Sequence, residues 1–182
     1  MDKNGNTGIK TVFLDRDGVI NRRIMDGYVT CKEELEILDG VPQALRILTD
    51  AKYRIVVVTN QRGIALGLYN ASTLAHIHDY LNQVLRQYGV RLNEFYFCPH
   101  DRQENCLCRK PKAGLIDQAN EVSTVHFKHS YLIGDSDTDL LAGRARHLRV
   151  IKIGPIETVI PEARFDNLLE AAKAIAADQI PE

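Results

Sequence analysis

The sequence has only four cysteines in 182 residues and a formal net charge of −1. It contains no run of about 18 apolar residues, so no segment is long enough to span a bilayer as a helix. Its start, MDKNGNTGIK, lacks the apolar stretch of a secretory signal. A charge so close to zero provides no basic footprint of the kind that nucleic-acid-binding proteins have. These absences predict a cytoplasmic protein that acts on neither membranes nor nucleic acids.

Glycine-rich nucleotide motifs are missing as well. Neither G-x-x-x-x-G-K-[ST] nor G-x-G-x-x-G occurs, which argues against a P-loop and a dinucleotide fingerprint. The remaining composition, 45% hydrophobic and 26% charged, is that of an ordinary globular chain. A chain of this length can bury roughly 70% of its unfolded surface in one core. We therefore predict a single, monomeric domain over residues 1–182, with residues 1–10 as a loose polar arm.

Short β-branched runs alternate with longer stretches of helical period. This alternation predicts an α/β fold, a Rossmann-like parallel sheet with helices on both faces. Strands are expected near residues 11–14, 53–58, 94–98, 130–134 and 149–153. Helices are expected near residues 41–51, 71–88, 112–121, 138–146 and 166–177. Polar clusters follow the first four strands, and in a parallel sheet those carboxyl ends form the edge where α/β folds build their binding crevice.

The first polar cluster is the stretch FLDRDGVIN, in which Asp15 directly follows the first strand and Asp17 comes two residues later. Gly18 allows a sharp turn at this point. Two carboxylates at a rigid strand end can divide the work of a nucleophile and of a proton donor and acceptor. Aspartates also form turns by bonding to their own backbone, and this alternative explains the pair without any chemistry.

The second acidic cluster is GDSDTDLLAG, after the fourth strand. Ser136 and Asp139 have the spacing of a capping pair at a helix start, and acids in a first turn suit the helix dipole. Capping gives Asp135 no role. A carboxylate before the cap, on the same edge as Asp15, suits Mg²⁺, which takes oxygen ligands from one or two carboxylates and keeps waters that a phosphate can replace.

The stretch VVVTNQRGIALG follows the second strand and offers the Thr59 hydroxyl and the Asn60 amide. Short donors and exposed backbone N–H groups in such a turn suit a phosphate. The same residues could simply cap the following helix. Among the other polar residues, we interpret Cys31 as a lone thiol, and His76 and His78, two apart on a long helix, as surface residues.

Three of the four cysteines fall within FCPHDRQENCLCRKP, with a histidine between them. In a reducing compartment such a group indicates metal ligands rather than disulfides, and Cys₃His is a structural zinc set without an open coordination position. Buried free thiols beside an unrelated histidine are the alternative. If zinc binds, it fixes Arg109 and Lys110 beside the crevice, and Pro111 would open the next helix. The ligands would be Cys98, His100, Cys106 and Cys108, in a zinc loop over residues 98–108.

Four stretches, FLDRDGVIN, VVVTN, CRKPKAG and IGDSDTD, resemble in order the four motifs of the haloacid dehalogenase-like phosphohydrolases. The resemblance runs from about residue 11 to residue 154. More narrowly, DGYV, VVVTNQRGIA, CPH and CRKP are similar to the zinc-containing branch typified by D-glycero-D-manno-heptose 1,7-bisphosphate 7-phosphatase, with histidinol-phosphatase as close kin. The short zinc loop is more similar to that of histidinol-phosphatase. Residues 22–26 make the stretch before GYV longer than in the heptose enzymes.

The resemblance implies a role for each matching residue. Asp15 would be phosphorylated, Asp17 would be the acid and base, Thr59 would hold the phosphoryl group and Lys110 would neutralise it. Mg²⁺ would lie among the Asp15 carboxylate, the Asp17 carbonyl and Asp135. Further contacts to a sugar bisphosphate would come from Gly27, Tyr28, Asn60, Gln61, Arg62, Arg109 and one of Arg22 and Arg23. The remaining alternative from another class is a non-catalytic binding module stabilised by zinc.

Overall fold

The computed structural model describes residues 8–92 and 94–181. Their six strands are β1 Thr11–Leu14, β2 Arg54–Asn60, β3 Glu94–Cys98, β4 Tyr131–Gly134, β5 Arg149–Ile153 and β6 Ala163–Phe165. The helices are α1 Val41–Asp50, α2 Ala71–Arg86, α3 Gly114–Val122, α4 Asp137–Arg144 and α5 Leu168–Ala176. Single 3₁₀ turns span Lys32–Glu34, Arg102–Glu104 and Phe127–His129. The predicted fold class is confirmed.

The strands form one parallel sheet in the order β3-β2-β1-β4-β5-β6. The chain moves outward from β1 to β3, then returns to the other side of β1 with β4. The strand order therefore reverses between β1 and β4, and α/β folds bind ligands in the crevice at such a switch point. Asp15 follows β1 and Asp135 follows β4, so the topology places the two predicted acids side by side.

Alternate side chains of each strand enter opposite halves of the core. Val12, Leu14 and Ile133 pack with α1, α2 and α5, whereas Phe13 and Leu132 pack with α3 and α4 on the other face. All five of these strand residues are fully buried. The two-residue period of a pleated strand produces this division, and helices cover both faces as predicted. The polar residues at the strand ends therefore extend from a sheet that packing makes rigid.

Three expectations about local structure are wrong. Strand β6 was not predicted, because ARF is too short to show a period. Helix α3 begins at Gly114, so Pro111 does not open it. Of the predicted loose arm, residues 1–7 lie outside the described residues, but Ile9 is anchored: its N–H donates to the Thr124 carbonyl at 2.8 Å and its carbonyl accepts from His126 N at 3.0 Å.

Candidate active site

The site lies at the carboxyl ends of the strands, in a cavity of about 930 Å³. It is built around Lys110, which is only 4% exposed although it carries a charge. The Lys110 ammonium lies 2.7 Å from Asp15 Oδ1 and 2.5 Å from Asp139 Oδ1, and it also donates to the Val58 carbonyl at 2.8 Å. Burial alone would lower the pKa of Lys110, but Asp139 and Asp15 outweigh it and hold the pKa above its usual range. The lysine therefore stays charged between two carboxylates.

The backbone of Lys110 is held from the end of β2. Asn60 brackets it, because Asn60 Oδ1 accepts from Lys110 N and Asn60 Nδ2 donates to the Lys110 carbonyl, both at 3.1 Å. The sequence predicts that Pro111 opens a helix directly after Lys110, and this is wrong because α3 begins only at Gly114. The Asn60 amide, rather than a helix terminus, holds the backbone of Lys110.

Three carboxylates have oxygens within 4.8 Å of one another, and they belong to Asp15, Asp135 and Asp139. Burial raises the pKa of Asp15 to about 7, with Asp139, Asp17 and Asp135 adding to the rise and Lys110 opposing it. Burial also raises the pKa of Asp135, Asp139 adds to the rise, and Arg23 opposes it from 3.2 Å. The three acids thus face two cations, and an additional positive charge would stabilise them.

Gly18 makes the close approach of these elements possible. A Cβ built on Gly18 would lie 2.1 Å from Asp135 Oδ2, and its φ of +92° is one that L side chains rarely adopt. The oxygen-only donor set of the three carboxylates suits a small hard cation such as Mg²⁺. Asp139, unlike the other two carboxylates, also caps a helix. Its Oδ2 accepts from Ser136 N at 3.1 Å and Ser136 Oγ at 2.6 Å, so the predicted capping pair forms while Oδ1 faces Lys110.

Asp17 does not belong to the group of three carboxylates, and a separate set of hydrogen-bond donors holds it. Arg16, which is 0% exposed, reaches both Asp17 oxygens from Nη2 at 2.9 and 3.0 Å. Asn21 Nδ2 donates to Oδ1 at 2.9 Å and Gln61 Nε2 to Oδ2 at 3.0 Å. Burial would raise the pKa of Asp17, but Arg16 and these hydrogen bonds outweigh it and hold the pKa below its ordinary value. The two predicted catalytic acids therefore have opposite electrostatic environments.

The cavity wall contains nearly every residue predicted to meet substrate. Asp15, Asp17 and Asp135 line it, and so do the predicted contact residues Gly27, Tyr28, Thr59, Asn60, Arg62, Arg109 and Lys110. Gln61 is the correction: it is 1% exposed and lies behind the wall, bonded to Asp17 and Thr59. Of the two candidate arginines, Arg23 lines the cavity, whereas Arg22 pairs with Glu36 on the exposed surface.

The four predicted zinc ligands form one compact group at the end of β3. Their donor atoms all lie within 4.8 Å of one another. Measured pairs are Cys98 Sγ to Cys106 Sγ at 3.5 Å, Cys98 Sγ to His100 Nδ1 at 3.5 Å, His100 Nδ1 to Cys108 Sγ at 3.2 Å, and Cys106 Sγ to Cys108 Sγ at 3.6 Å. A tetrahedral zinc with bonds of about 2.0–2.3 Å places its donors about 3.3–3.8 Å apart, and the donor distances of 3.2 to 3.6 Å lie close to this range.

The zinc loop also carries residues of the cavity wall. Arg109 Nη1 donates to the His100 carbonyl at 3.3 Å, and Asp101 Oδ2 accepts from Arg62 Nε at 3.0 Å. Lys112 Nζ donates to the carbonyls of Asn105 at 2.9 Å and Cys106 at 2.8 Å. Two cavity arginines are therefore attached to the same loop that holds the thiols.

Known proteins resemble the chain in sequence and structure. The family model described as Polynucleotide kinase 3 phosphatase matches residues 11–150. A D-glycero-beta-D-manno-heptose-1,7-bisphosphate 7-phosphatase of Helicobacter pylori strain J99 is 36% identical over 165 residues, which covers 88% of this chain and 94% of the relative. The chain belongs to the haloacid dehalogenase-like heptose-bisphosphate phosphatase family. It is thus a phosphoric monoester hydrolase, and a non-catalytic binding module is the wrong interpretation.

Other relatives of this phosphatase extend the comparison. A D-glycero-alpha-D-manno-heptose-1,7-bisphosphate 7-phosphatase of Mycobacterium tuberculosis strain H37Rv is 38% identical over 171 residues, 90% of each chain. The crystal structure of D,D-heptose 1,7-bisphosphate phosphatase from B. bronchiseptica, complexed with magnesium and phosphate, superimposes with a TM-score of 0.85. It is 29% identical and covers 93% of this chain and 99% of its own. No helix within residues 8–92 and 94–181 combines the length and apolar character that crossing a membrane requires.

Sequence reasoning missed three residues of the phosphatase site. Arg16 separates the two aspartates, and an arginine between a buried strand and a turn was itself a signal of a buried partner. Asp139 was assigned only to capping, although it lies one helical turn after Asp135. His78 was assigned to the surface, but it is 7% exposed, stacks on Phe95 with centroids 4.2 Å apart and lies 3.5 Å from Arg16.

Proposed function

We propose that this phosphatase removes the 7-phosphate of D-glycero-D-manno-heptose 1,7-bisphosphate through an aspartyl-phosphate on Asp15. The main supporting observation is the buried Lys110, 2.7 Å from Asp15 Oδ1 at the switch point of the sheet. A charged lysine bound to one carboxylate oxygen leaves the other oxygen to attack phosphorus, and it also offsets the negative charge of the incoming phosphate. The relatives described above, which act on this bisphosphate, support the choice of substrate.

The reaction has two chemical steps. Asp15 attacks phosphorus while Asp17 gives a proton to the leaving alkoxide. Asp17 then takes a proton from a water molecule, which attacks the phosphorus of the aspartyl-phosphate and frees Asp15. Thr59 holds the phosphoryl group during both steps, and Lys110 stays charged beside Asp15. Asp17 starts as a carboxylate held by Arg16, so it must acquire a proton before it can act as the acid.

Mg²⁺ is the metal that we propose for the carboxylate cluster. Asp15 and Asp135 would hold it, together with the Asp17 carbonyl that the family resemblance indicates. The bound ion would reduce the negative charge that an incoming phosphate meets. The magnesium and phosphate in the B. bronchiseptica enzyme support this assignment. Burial raises the pKa of both carboxyls and so disfavours their charged forms, and a bound cation would favour the charged forms again.

Zinc is the metal that we propose for Cys98, His100, Cys106 and Cys108. Thiolates prefer zinc to magnesium because they are soft ligands, so the two ions occupy separate sites. A closed shell of four protein ligands leaves zinc no position for substrate, and we assign it a structural role. By fixing the loop, it would limit the entropy that Arg109 and Lys110 lose when they bind phosphate.

The second phosphate of the substrate would meet the arginines of the cavity wall. Arg62 and Arg109 are attached to the zinc loop, and Arg23 reaches the cavity from the loop of residues 22–28. Guanidinium groups bind phosphate with two parallel hydrogen bonds. Because all these groups come from one chain, we propose that the monomer is active. The cytoplasmic location also remains a prediction.

Two other substrates are alternatives to the heptose bisphosphate. Histidinol phosphate is favoured by the short zinc loop between His100 and Cys106. A 3′-phosphorylated polynucleotide is suggested by the description of the family model, but a net charge of −1 gives the chain no basic footprint for it.

The decisive measurement is kcat/KM for both anomers of the heptose bisphosphate, for histidinol phosphate and for a 3′-phosphorylated oligonucleotide, with saturating Mg²⁺. We expect at least a hundredfold preference for one heptose anomer, or about 2.7 kcal/mol in transition-state binding. The Asp15→Asn protein, purified in parallel, controls for a contaminating phosphatase. Equal or faster hydrolysis of histidinol phosphate would refute the proposed substrate.

A further inference from the structure

Gln61 contacts two groups of the proposed reaction, the acid Asp17 and the phosphoryl-binding Thr59. Its Nε2 donates to Asp17 Oδ2 at 3.0 Å and to Thr59 Oγ1 at 2.8 Å. A carboxamide nitrogen has two hydrogens, so one amide serves both contacts. Gln61 is 1% exposed and does not line the cavity. Among its described contacts, Asp17 and Thr59 are the ones through which Gln61 reaches the groups of the proposed reaction.

The orientation of this amide follows from its partners. Asp17 Oδ2, as a carboxylate oxygen, can only accept, so the nitrogen of the amide must face it. Gln61 Oε1 consequently faces the opposite way and accepts from the Tyr69 hydroxyl at 2.5 Å. The Gln61 backbone N–H donates to the Cys98 carbonyl at 2.8 Å, which ties the residue to the end of β3. Both ends of Gln61 are thus fixed.

Tyr69 contacts Gln61 because the chain turns back between them and the Tyr69 ring packs against Gly63. A Cβ on Gly63 would lie 2.3 Å from Tyr69 Cε1, so only glycine admits the ring there. Tyr69 is 8% exposed. A buried tyrosine hydroxyl needs a hydrogen-bond partner, and Gln61 Oε1 is an acceptor that has no other role in the described contacts.

We propose that Gln61 and Tyr69 are a positioning pair that sets the Asp17 carboxylate relative to Thr59. Arg16 and Asn21 hold Asp17 from one side, and the amide fixes Oδ2 from the other. The same amide donates to Thr59 Oγ1, so the Thr59 hydroxyl acts as an acceptor toward Gln61. Its own proton is then available for donation into the cavity that Thr59 lines. The inference rests on the proposed function, because it assumes that Asp17 protonates the leaving oxygen.

The test compares two leaving groups. An alkyl phosphate such as the heptose bisphosphate leaves as a basic alkoxide and needs the proton from Asp17, whereas 4-nitrophenyl phosphate leaves as a stable phenolate and needs it less. We expect Tyr69→Phe to lower kcat/KM about tenfold for the alkyl phosphate and less than threefold for the aryl phosphate. Gln61→Met, which has a similar volume but no amide, should show the same pattern with a larger loss. It also keeps the test valid if Tyr69→Phe folds poorly.

Two controls separate this inference from the proposed function. Tyr131→Phe removes another buried tyrosine hydroxyl, at the opposite end of the sheet, and should change neither substrate's kcat/KM. Asp17→Asn should give a larger loss on the alkyl than on the aryl phosphate, and Tyr69→Phe should add little to it. If Asp17→Asn loses activity equally on both substrates, the proposed acid role and this inference fail together. If Asp17→Asn discriminates but Tyr69→Phe and Gln61→Met do not, only the positioning pair is refuted.

Discussion

Two groups of potential metal ligands lie at the same edge of the sheet and differ in how they are assembled. The thiols and imidazole come from one loop, residues 98–108, whose spacing already brings them together. Of the three carboxylates, Asp15 and Asp135 follow two strands that are far apart in sequence but adjacent in the sheet, and Asp139 lies in the first turn of α4. A short loop therefore forms one group, whereas the order of the strands forms the other.

The two groups also differ in what surrounds them. The carboxylates contact Lys110 and Arg23, and two of them, Asp15 and Asp135, line the cavity. The soft donors mainly contact one another, at 3.2 to 3.6 Å. A site that contains charged neighbours and open space can exchange ligands during a reaction, whereas a closed set of four donors can only hold. This difference supports the proposed division, with the chemistry at the carboxylates and a structural role for the thiols and imidazole.

The largest expected effect is a loss of activity when the carboxylate group is changed and the thiol group is left intact. Asp15→Asn should lower kcat at least about 10⁴-fold, since no other group can form the aspartyl-phosphate, a loss of about 5.5 kcal/mol in barrier terms. Far-UV circular dichroism and zinc content should remain those of the wild type. Retention of more than about a tenth of wild-type kcat would exclude the covalent mechanism. Asp117→Asn, at a surface ion pair with Arg146, is the matched control.

The second prediction concerns zinc. Cys106→Ser should remove the metal and lower the free energy of unfolding by about 3 kcal/mol or more, because binding energy at a structural zinc site is folding energy. Activity should fall even with saturating Mg²⁺, since the loop no longer fixes Arg109 and Lys110. Elemental analysis and thermal unfolding are the measurements, with Cys31→Ser, outside the group, as the control. Full zinc content in the Cys106 variant would refute the structural assignment.

The third prediction concerns the close approach of Gly18 to Asp135 in the carboxylate cluster. Gly18→Ala should raise the Mg²⁺ concentration needed for half-maximal activity about tenfold or more, because its Cβ would lie 2.1 Å from Asp135 Oδ2. Gly67→Ala is a sharp control: its φ of +71° imposes a similar backbone penalty, but no atom lies within 4 Å of the added Cβ. Equal effects of the two variants on the Mg²⁺ requirement would show that backbone strain, not the contact with Asp135, is responsible.

The smallest effect is on acid stability and tests the packing behind the site. Burial lowers the pKa of His78 from 6.5 to about 3, and the Arg16 guanidinium adds to the shift. The unfolded chain then binds a proton that the folded protein does not, so stability decreases as the pH falls from about 6.5 toward 3. This term is about 1 kcal/mol between pH 6.5 and 5.5.

His78→Gln should remove that dependence, although the variant loses the stacking on Phe95 at every pH. The measurement is urea unfolding at pH 5.5, 6.5 and 7.5. His76→Gln, on the exposed side of the same helix, is the matched control. A wild-type curve that His78→Gln leaves unchanged would contradict the buried, neutral state of this histidine.

Much of the site could be predicted because its residues follow strand ends. Asp15, Thr59 and Asp135 each come directly after or at the end of an apolar run, so a parallel sheet alone implies that they share an edge. The predicted substrate contact of Gln61 is wrong for the same reason. Its neighbours face the cavity, but the turn directs its side chain inward to Asp17. The predicted surface position of His78 is wrong because residue spacing on a helix does not show how much of the helix surface its neighbours cover.

The sequence by itself determined the α/β class, the edge on which the polar residues lie and the soft ligand set of the zinc loop. Each of these depends on local order: the alternation of strand and helix, the residue after each strand, and close spacing within one loop. Only the tertiary structure decided that Asp139 shares Lys110 with Asp15, that Arg16 holds Asp17, and that Tyr69 reaches Gln61. Those contacts join residues whose approach depends on packing at the level of single atoms, as the missing Cβ of Gly18 and Gly63 shows, and such packing leaves no period or motif in the sequence.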